Sequence, residues 1–253
     1  MAGLWGGGHA RHTGRMATSR VGQAMDAVHR VGFLPADQRQ YGDLDVPLPI
    51  GWGQTNSQPT TVRQMLELLD VRPGERVLDV GAGSGWTTAL LGWLTGPTGR
   101  VVGVERVPGL VEFGADNLAR AGLPWASVQP ATPGVFGDPS QAPYDRILVS
   151  AQARSLPDEL VAQLAPGGVV VVPVAGRMLR AVRPRAGGAP EVEEHGWYRF
   201  VPLVSDPPAD PPPSDPRYEP PADRPPSDPA PWPPRPTTPP PDGSGRGVGD
   251  GSA

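Results

Sequence analysis

Residues 77–91 read VLDVGAGSGWTTALL: a short apolar run, glycines at 81, 83 and 85, then a helix-like run that opens at Trp86. A buried strand that ends in bare backbone and passes straight into a helix is the first half of a βαβ unit. Glycine is needed at such a tip where the chain turns tightly or a ligand approaches the backbone. The dinucleotide fingerprint spaces its glycines G-x-G-x-x-G and turns a helix N-terminus toward a pyrophosphate. Here the spacing is G-x-G-x-G, and Trp86 stands where the third glycine of that fingerprint would fall. Asp79, just ahead of the glycines, would repel a pyrophosphate and suit a ligand with a cationic end.

Working outward, the alternation continues. A helical pattern carries Val62, Met65, Leu66 and Leu69 before the 77–91 stretch. After it come a strand RVVGVER, a helix VPGLVEFGADNLARAG, a weak strand ASVQPA, a clear strand YDRILVSA, a helix LPDELVAQL and a strand GGVVVVPV. MLRAVRPR and EVEEHGWYRFVPLV, joined by an AGGAP turn, read as antiparallel β. The fold class expected is α/β and Rossmann-like. It has a mostly parallel twisted sheet, helices on both faces and an antiparallel C-terminal hairpin. Ligands of such sheets sit at the carboxyl ends of the strands. Glu105 ends the strand after the glycine loop, 20 residues past Gly85, where an acid can accept both ribose hydroxyls. An adenosine without phosphate but with a positive amino-acid end is S-adenosylmethionine.

Composition sets the limits of the folded part. Of the 36 prolines, 18 lie between Ser205 and Ala253, with almost no large apolar residues among them. Residues 205–253 are therefore expected to be a disordered, partly polyproline II tail, and residues 1–24 a disordered leader. Residues 25–204 are expected to form one domain. The leader lacks the apolar core of a signal peptide, and no run is long enough to span a bilayer. Cysteine is absent, which excludes disulfides and thiol chemistry and is compatible with the cytoplasm. The net charge of −4 gives no basic surface for nucleic acid. All 22 basic residues are arginine, so lysine chemistry is excluded as well. His9, His12, His29 and His195 have no metal-ligand spacing, and no metal is expected. The tail's PPPSDP and PPRPTTPPP match ligands of proline-recognition domains, although solubilising disorder is the better reading.

LPIGWGQTNSQP (48–59), VLDVGAGSGW, VVGVER, YDRILVSA, LPDELVAQLAPGGVVVVPV and RFVPLV together resemble, in order and spacing, the protein-L-isoaspartate O-methyltransferases. The first of these is the specific piece; the glycine loop alone would indicate only a class I methyltransferase. The resemblance implies a Rossmann-like domain that methylates the α-carboxylate of isoaspartyl residues in damaged proteins or peptides. The ester then closes to a succinimide, which reopens in part to aspartate. By position, Asp79, Gly81 and Gly83 would line the cofactor's amino-acid end and Glu105 its ribose, with Gly85 also in the cofactor loop. Thr55 and Ser57 would lie beside the acceptor carboxylate, in a loop capping the cofactor. Ser57 is read as the donor that orients that carboxylate, against a plain turn or N-cap role ahead of QPTTVRQML.

Two positions depart from the pattern. The family usually places an aspartate after the third strand to hold the adenine amino group. Here the aligned residue is Thr132, or Asp138 if the loop is shifted. Asn56 replaces the usual apolar residue between Thr55 and Ser57, a change in the acceptor pocket. Two other readings stay open at this level: methylation of an aspartate in one peptide natural product, and a degenerate cofactor-binding scaffold.

Overall fold

The computed structural model describes residues 19–204. Most of the expected leader and the whole proline-rich tail lie outside the described residues. In chain order the elements are α1 (Arg20–Ala27), β1 (Leu48–Gly51), β2 (Gln54–Asn56), α2 (Pro59–Leu69), β3 (Arg76–Val80), α3 (Trp86–Thr95), β4 (Arg100–Glu105) and α4 (Pro108–Ala121). They continue with β5 (Ala126–Pro130), β6 (Tyr144–Val149), α5 (Asp158–Ala162), β7 (Leu164–Val174), β8 (Arg177–Val182) and β9 (Glu191–Trp197).

β3 to β9 form one sheet in the order β5-β4-β3-β6-β7-β8-β9. β5, β4, β3, β6 and β7 pair in parallel, and β8 and β9 close the edge antiparallel. The strands read as continuous apolar runs because both faces are covered, and successive residues feed opposite cores. Val77, Val101, Val169 and Val171 point into one core with α1, α2, α3 and α4. Leu78, Val102, Val170 and Val172 point into the other, against α5 and the Ala131–Ala142 segment. The carboxyl end of β3 lies where the chain reverses its direction of travel across the sheet, with β4 on one side and β6 on the other.

Of two elements that precede the sheet, the second covers that end. α1 takes in Arg20–Ala24, which composition alone assigns to the leader. Ser19 caps it by accepting from the Gly22 N–H, Ala24 is fully buried, and Arg20 donates to the carbonyls of Val71 and Leu94. β1 and β2 form a separate two-stranded hairpin. Leu48 and Ile50 pack with Leu34, Val107 and Leu110, and the Trp52 ring joins the same cluster. The hairpin is thereby fixed over the start of α4. β9, with the segment VEEHGW, is mostly exposed, as a solvated hairpin face should be.

Candidate active site

The site is assembled at the tips of the parallel strands. After β3 the chain turns back, and the N–H groups of Gly81 and Ala82 both donate to the Val104 carbonyl of β4, at 2.9 and 3.1 Å. Gly83 adopts φ +53°, a conformation that costs other residues energy. This aims its N–H at Glu105 Oε2, 2.9 Å away. Oε1 of the same carboxylate accepts from the N–H groups of Arg106 and Val107 at 2.8 and 2.9 Å. Glu105 is thus locked by three backbone donors while one face of it lines the cavity.

The cavity has four walls. Val80 to Ser84 form the floor with the ends of β4 and β6; Ile50 and Gln54 to Ser57 come from the hairpin. Ala131 and Val135 to Gly137 form an apolar side, and Val201 to Val204 close the last wall. That last segment is held by Gln152, whose N–H donates to the Val201 carbonyl and whose carbonyl accepts from Leu203.

The cavity brings together Thr55, Ser57, Gly81, Gly83 and Glu105. Three of the expected residues lie off its wall. Asp79 is fully buried behind the glycine loop. Its Oδ2 accepts from the hydroxyls of Thr87 and Thr88, both at 2.7 Å, while its Oδ1 is buried with no partner among the described residues. Burial pushes this carboxyl up to about 6, against the pull of the Thr88 and Thr87 hydroxyls and with nearby Glu105 adding to the rise. Gly85 faces α4: a Cβ there would come within 2.9 Å of the Gly114 carbonyl, so its bareness serves helix packing. Thr132 is exposed, because the chain turns at this point and its carbonyl accepts from Val135 N–H. Asp138 does not line the cavity either, and its two oxygens accept four hydrogen bonds from Gln129, Ser140 and Gln141.

The residues fit S-adenosylmethionine. The loop backbone is bare at Gly81 and Gly83, an orphaned acceptor at Asp79 lies beneath it, and a second carboxylate stands at the neighbouring strand tip. Both acids favour a cationic ligand. Sequence reasoning missed Arg30, Ser84 and the Val201–Val204 wall. Ser84 sits inside the quoted glycine loop and could have been found there; Arg30 has no periodic or motif signal.

The family model for protein-L-isoaspartate(D-aspartate) O-methyltransferase matches residues 8–207. A protein-L-isoaspartate O-methyltransferase from Methanopyrus kandleri is 44% identical over 196 residues, 76% of this chain and 87% of that protein. One from Myxococcus xanthus is 39% identical over 213 residues, 81% of this chain and 98% of that protein. A solved protein-L-isoaspartate O-methyltransferase structure superposes with a TM-score of 0.67 at 25% identity, covering 75% of this chain and 62% of that one. A Plasmodium falciparum structure in complex with S-adenosyl-L-homocysteine gives a TM-score of 0.64 at 24% identity, a likeness of fold, over 76% of this chain and 93% of that one. With the family model spanning most of the chain and relatives near 40% identity across it, the chain belongs to the protein-L-isoaspartate O-methyltransferase family.

Proposed function

We propose that this protein is an S-adenosylmethionine-dependent carboxyl O-methyltransferase acting on L-isoaspartyl residues of damaged proteins and peptides. The observation that carries the reading is a single cavity in which the glycine loop and Glu105 face the hairpin hydroxyls of Thr55 and Ser57.

Bound S-adenosylmethionine supplies an electrophilic methyl group on a sulfonium whose departure leaves a neutral thioether. Gly81 and Gly83 would give its amino-acid end close access to backbone, Asp79, buried behind that loop, would add negative charge beneath it, and Glu105 would receive the ribose. The acceptor is a carboxylate, a group that ordinarily titrates at roughly pH 4 and is ionised at neutral pH, so the protein need not remove a proton. Ser57 would donate to this carboxylate and orient it toward the donor's methyl group; Thr55 would border it. The hairpin and the Val201–Val204 segment keep water out. Positioning of this kind can contribute on the order of 7–11 kcal/mol.

The expected product is a base-labile methyl ester. Incubation with labelled donor and matched isoaspartyl and aspartyl peptides tests the reading, and equal or absent labelling of the two would reject it. No helix among the described residues is long and apolar enough to cross a membrane. On this reading the compartment is the cytoplasm, where fractionation of the tagged protein should find it.

A further inference from the structure

Arg30 lies in a short 3-10 turn after α1 and is 5% exposed. Buried arginines are ordinarily paired with a carboxylate. Among the described residues none comes within ion-pair distance of this one. Its N–H groups go instead to neutral oxygens. Nη1 donates to the Leu44 carbonyl at 3.1 Å and Nη2 to the Val46 carbonyl at 2.9 Å. The rest of the guanidinium grips Asn56 twice: Nε donates to Oδ1 at 2.7 Å and Nη2 to the backbone carbonyl at 2.9 Å.

This grip fixes the direction of everything beyond it. With Oδ1 on the arginine, the amide nitrogen of Asn56 must point the other way, and it donates to Ser84 Oγ at 3.0 Å. A hydroxyl that receives a hydrogen bond still has its own proton to give. Among the described residues no acceptor takes it, and Ser84 is on the cavity wall. We infer that Ser84 donates a hydrogen bond to a carboxylate bound in the cavity, and that Arg30 and Asn56 are positioning residues that orient the hydroxyl and pass polarisation from a buried cation to it. A donor backed by a buried cation suits an anion, even with Asp45 acting on that cation from beyond ion-pair distance, and each bond in such a chain strengthens the next. The carboxylate belongs either to the amino-acid end of the methyl donor or to the acceptor; the acceptor case rests on the function proposed above.

The test compares wild type with Ser84→Ala and Asn56→Asp. The aspartate keeps the size of Asn56 and gains an ion pair with Arg30. It can only accept, so it takes the Ser84 proton and reverses the bond. Calorimetric Kd values are measured for S-adenosylhomocysteine and for adenosine, which lacks the carboxylate, together with KM for an isoaspartyl peptide. If the donor's carboxylate is bound, both variants weaken S-adenosylhomocysteine about 10- to 100-fold and leave adenosine unchanged. If the acceptor's is bound, peptide KM rises by a similar factor and the S-adenosylhomocysteine Kd stays put. Asn56→Asp should melt no lower than wild type, which separates this role from a merely structural one. Both values within twofold of wild type in Ser84→Ala, or wild-type binding in Asn56→Asp, overturns the inference. A wild type that binds S-adenosylhomocysteine but methylates no isoaspartyl peptide rejects the proposed function alone; the Kd comparison then decides Ser84 by itself.

Discussion

Glu105 and Gly83 meet across two strands: the carboxylate Oε2 accepts the glycine N–H at 2.9 Å. The acid at the tip of β4 therefore shapes the glycine loop as well as facing the cavity, so its removal should be felt twice. Glu105→Ala is expected to weaken S-adenosylhomocysteine by about 1.5–3 kcal/mol, the range for a hydrogen bond to a charged group. Glu105→Gln should also lose stability, because its NH2 group must face one of three backbone donors. Calorimetry and urea unfolding read the two effects. A wild-type Kd in both variants would remove Glu105 from the ligand site.

Asp79 gives a pH dependence with a definite sign. Its folded carboxyl is raised to about 6, so between about pH 4 and 6 the folded state holds a proton that the unfolded chain has lost. The stability tied to this group is fully present below about pH 4 and falls by ~3 kcal/mol as pH rises through 6. Asp79→Asn should flatten that slope in unfolding experiments. The cationic end of the ligand should favour the ionised form, so S-adenosylhomocysteine is expected to bind more tightly at pH 7 than at pH 5 in wild type only.

Ser57→Ala should separate chemistry from cofactor binding. Loss of one donor to the acceptor carboxylate is expected to reduce kcat/KM for an isoaspartyl peptide about 10- to 100-fold. The S-adenosylhomocysteine Kd should not change. Equal losses in both would mean that Ser57 is a structural member of the hairpin.

Trp52 and Gly109 test what anchors the hairpin. Gly109 is in the first turn of α4, where alanine would ordinarily stabilise a helix by up to about 1 kcal/mol. A Cβ at this position would lie 2.2 Å from Trp52 Cζ2, and the ring must move. The clash outweighs the propensity, so Gly109→Ala is expected to destabilise by about 1–3 kcal/mol and to reduce activity. In a Trp52→Ala background the same change should become neutral or stabilising. Additive losses would show that the ring is not the obstacle.

The parallel strands were legible because a strand buried on both faces must be apolar throughout, as at Val169 to Val172. Glu105 was legible because strand and loop lengths fix its distance from Gly85. α1 was not: it is an eight-residue helix held by Ala24 burial and by Arg20 reaching Leu94, contacts distant in sequence. The β1–β2 hairpin has strands of four and three residues, too short for alternation to register. Thr132 falls outside the cavity because one turn, closed by Val135, swings it outward. Asn56 stands out in the sequence as a change in the acceptor pocket, but its tie to Arg30 spans 26 positions and has no sequence pattern.

The Val201–Val204 wall sets a practical limit on shortening this protein. A stop after Phe200 strips one side of the enclosure and frees Gln152, which Val201 and Leu203 now occupy. A reporter dye grafted directly after Val204 would begin next to the reaction chamber and should sense its filling.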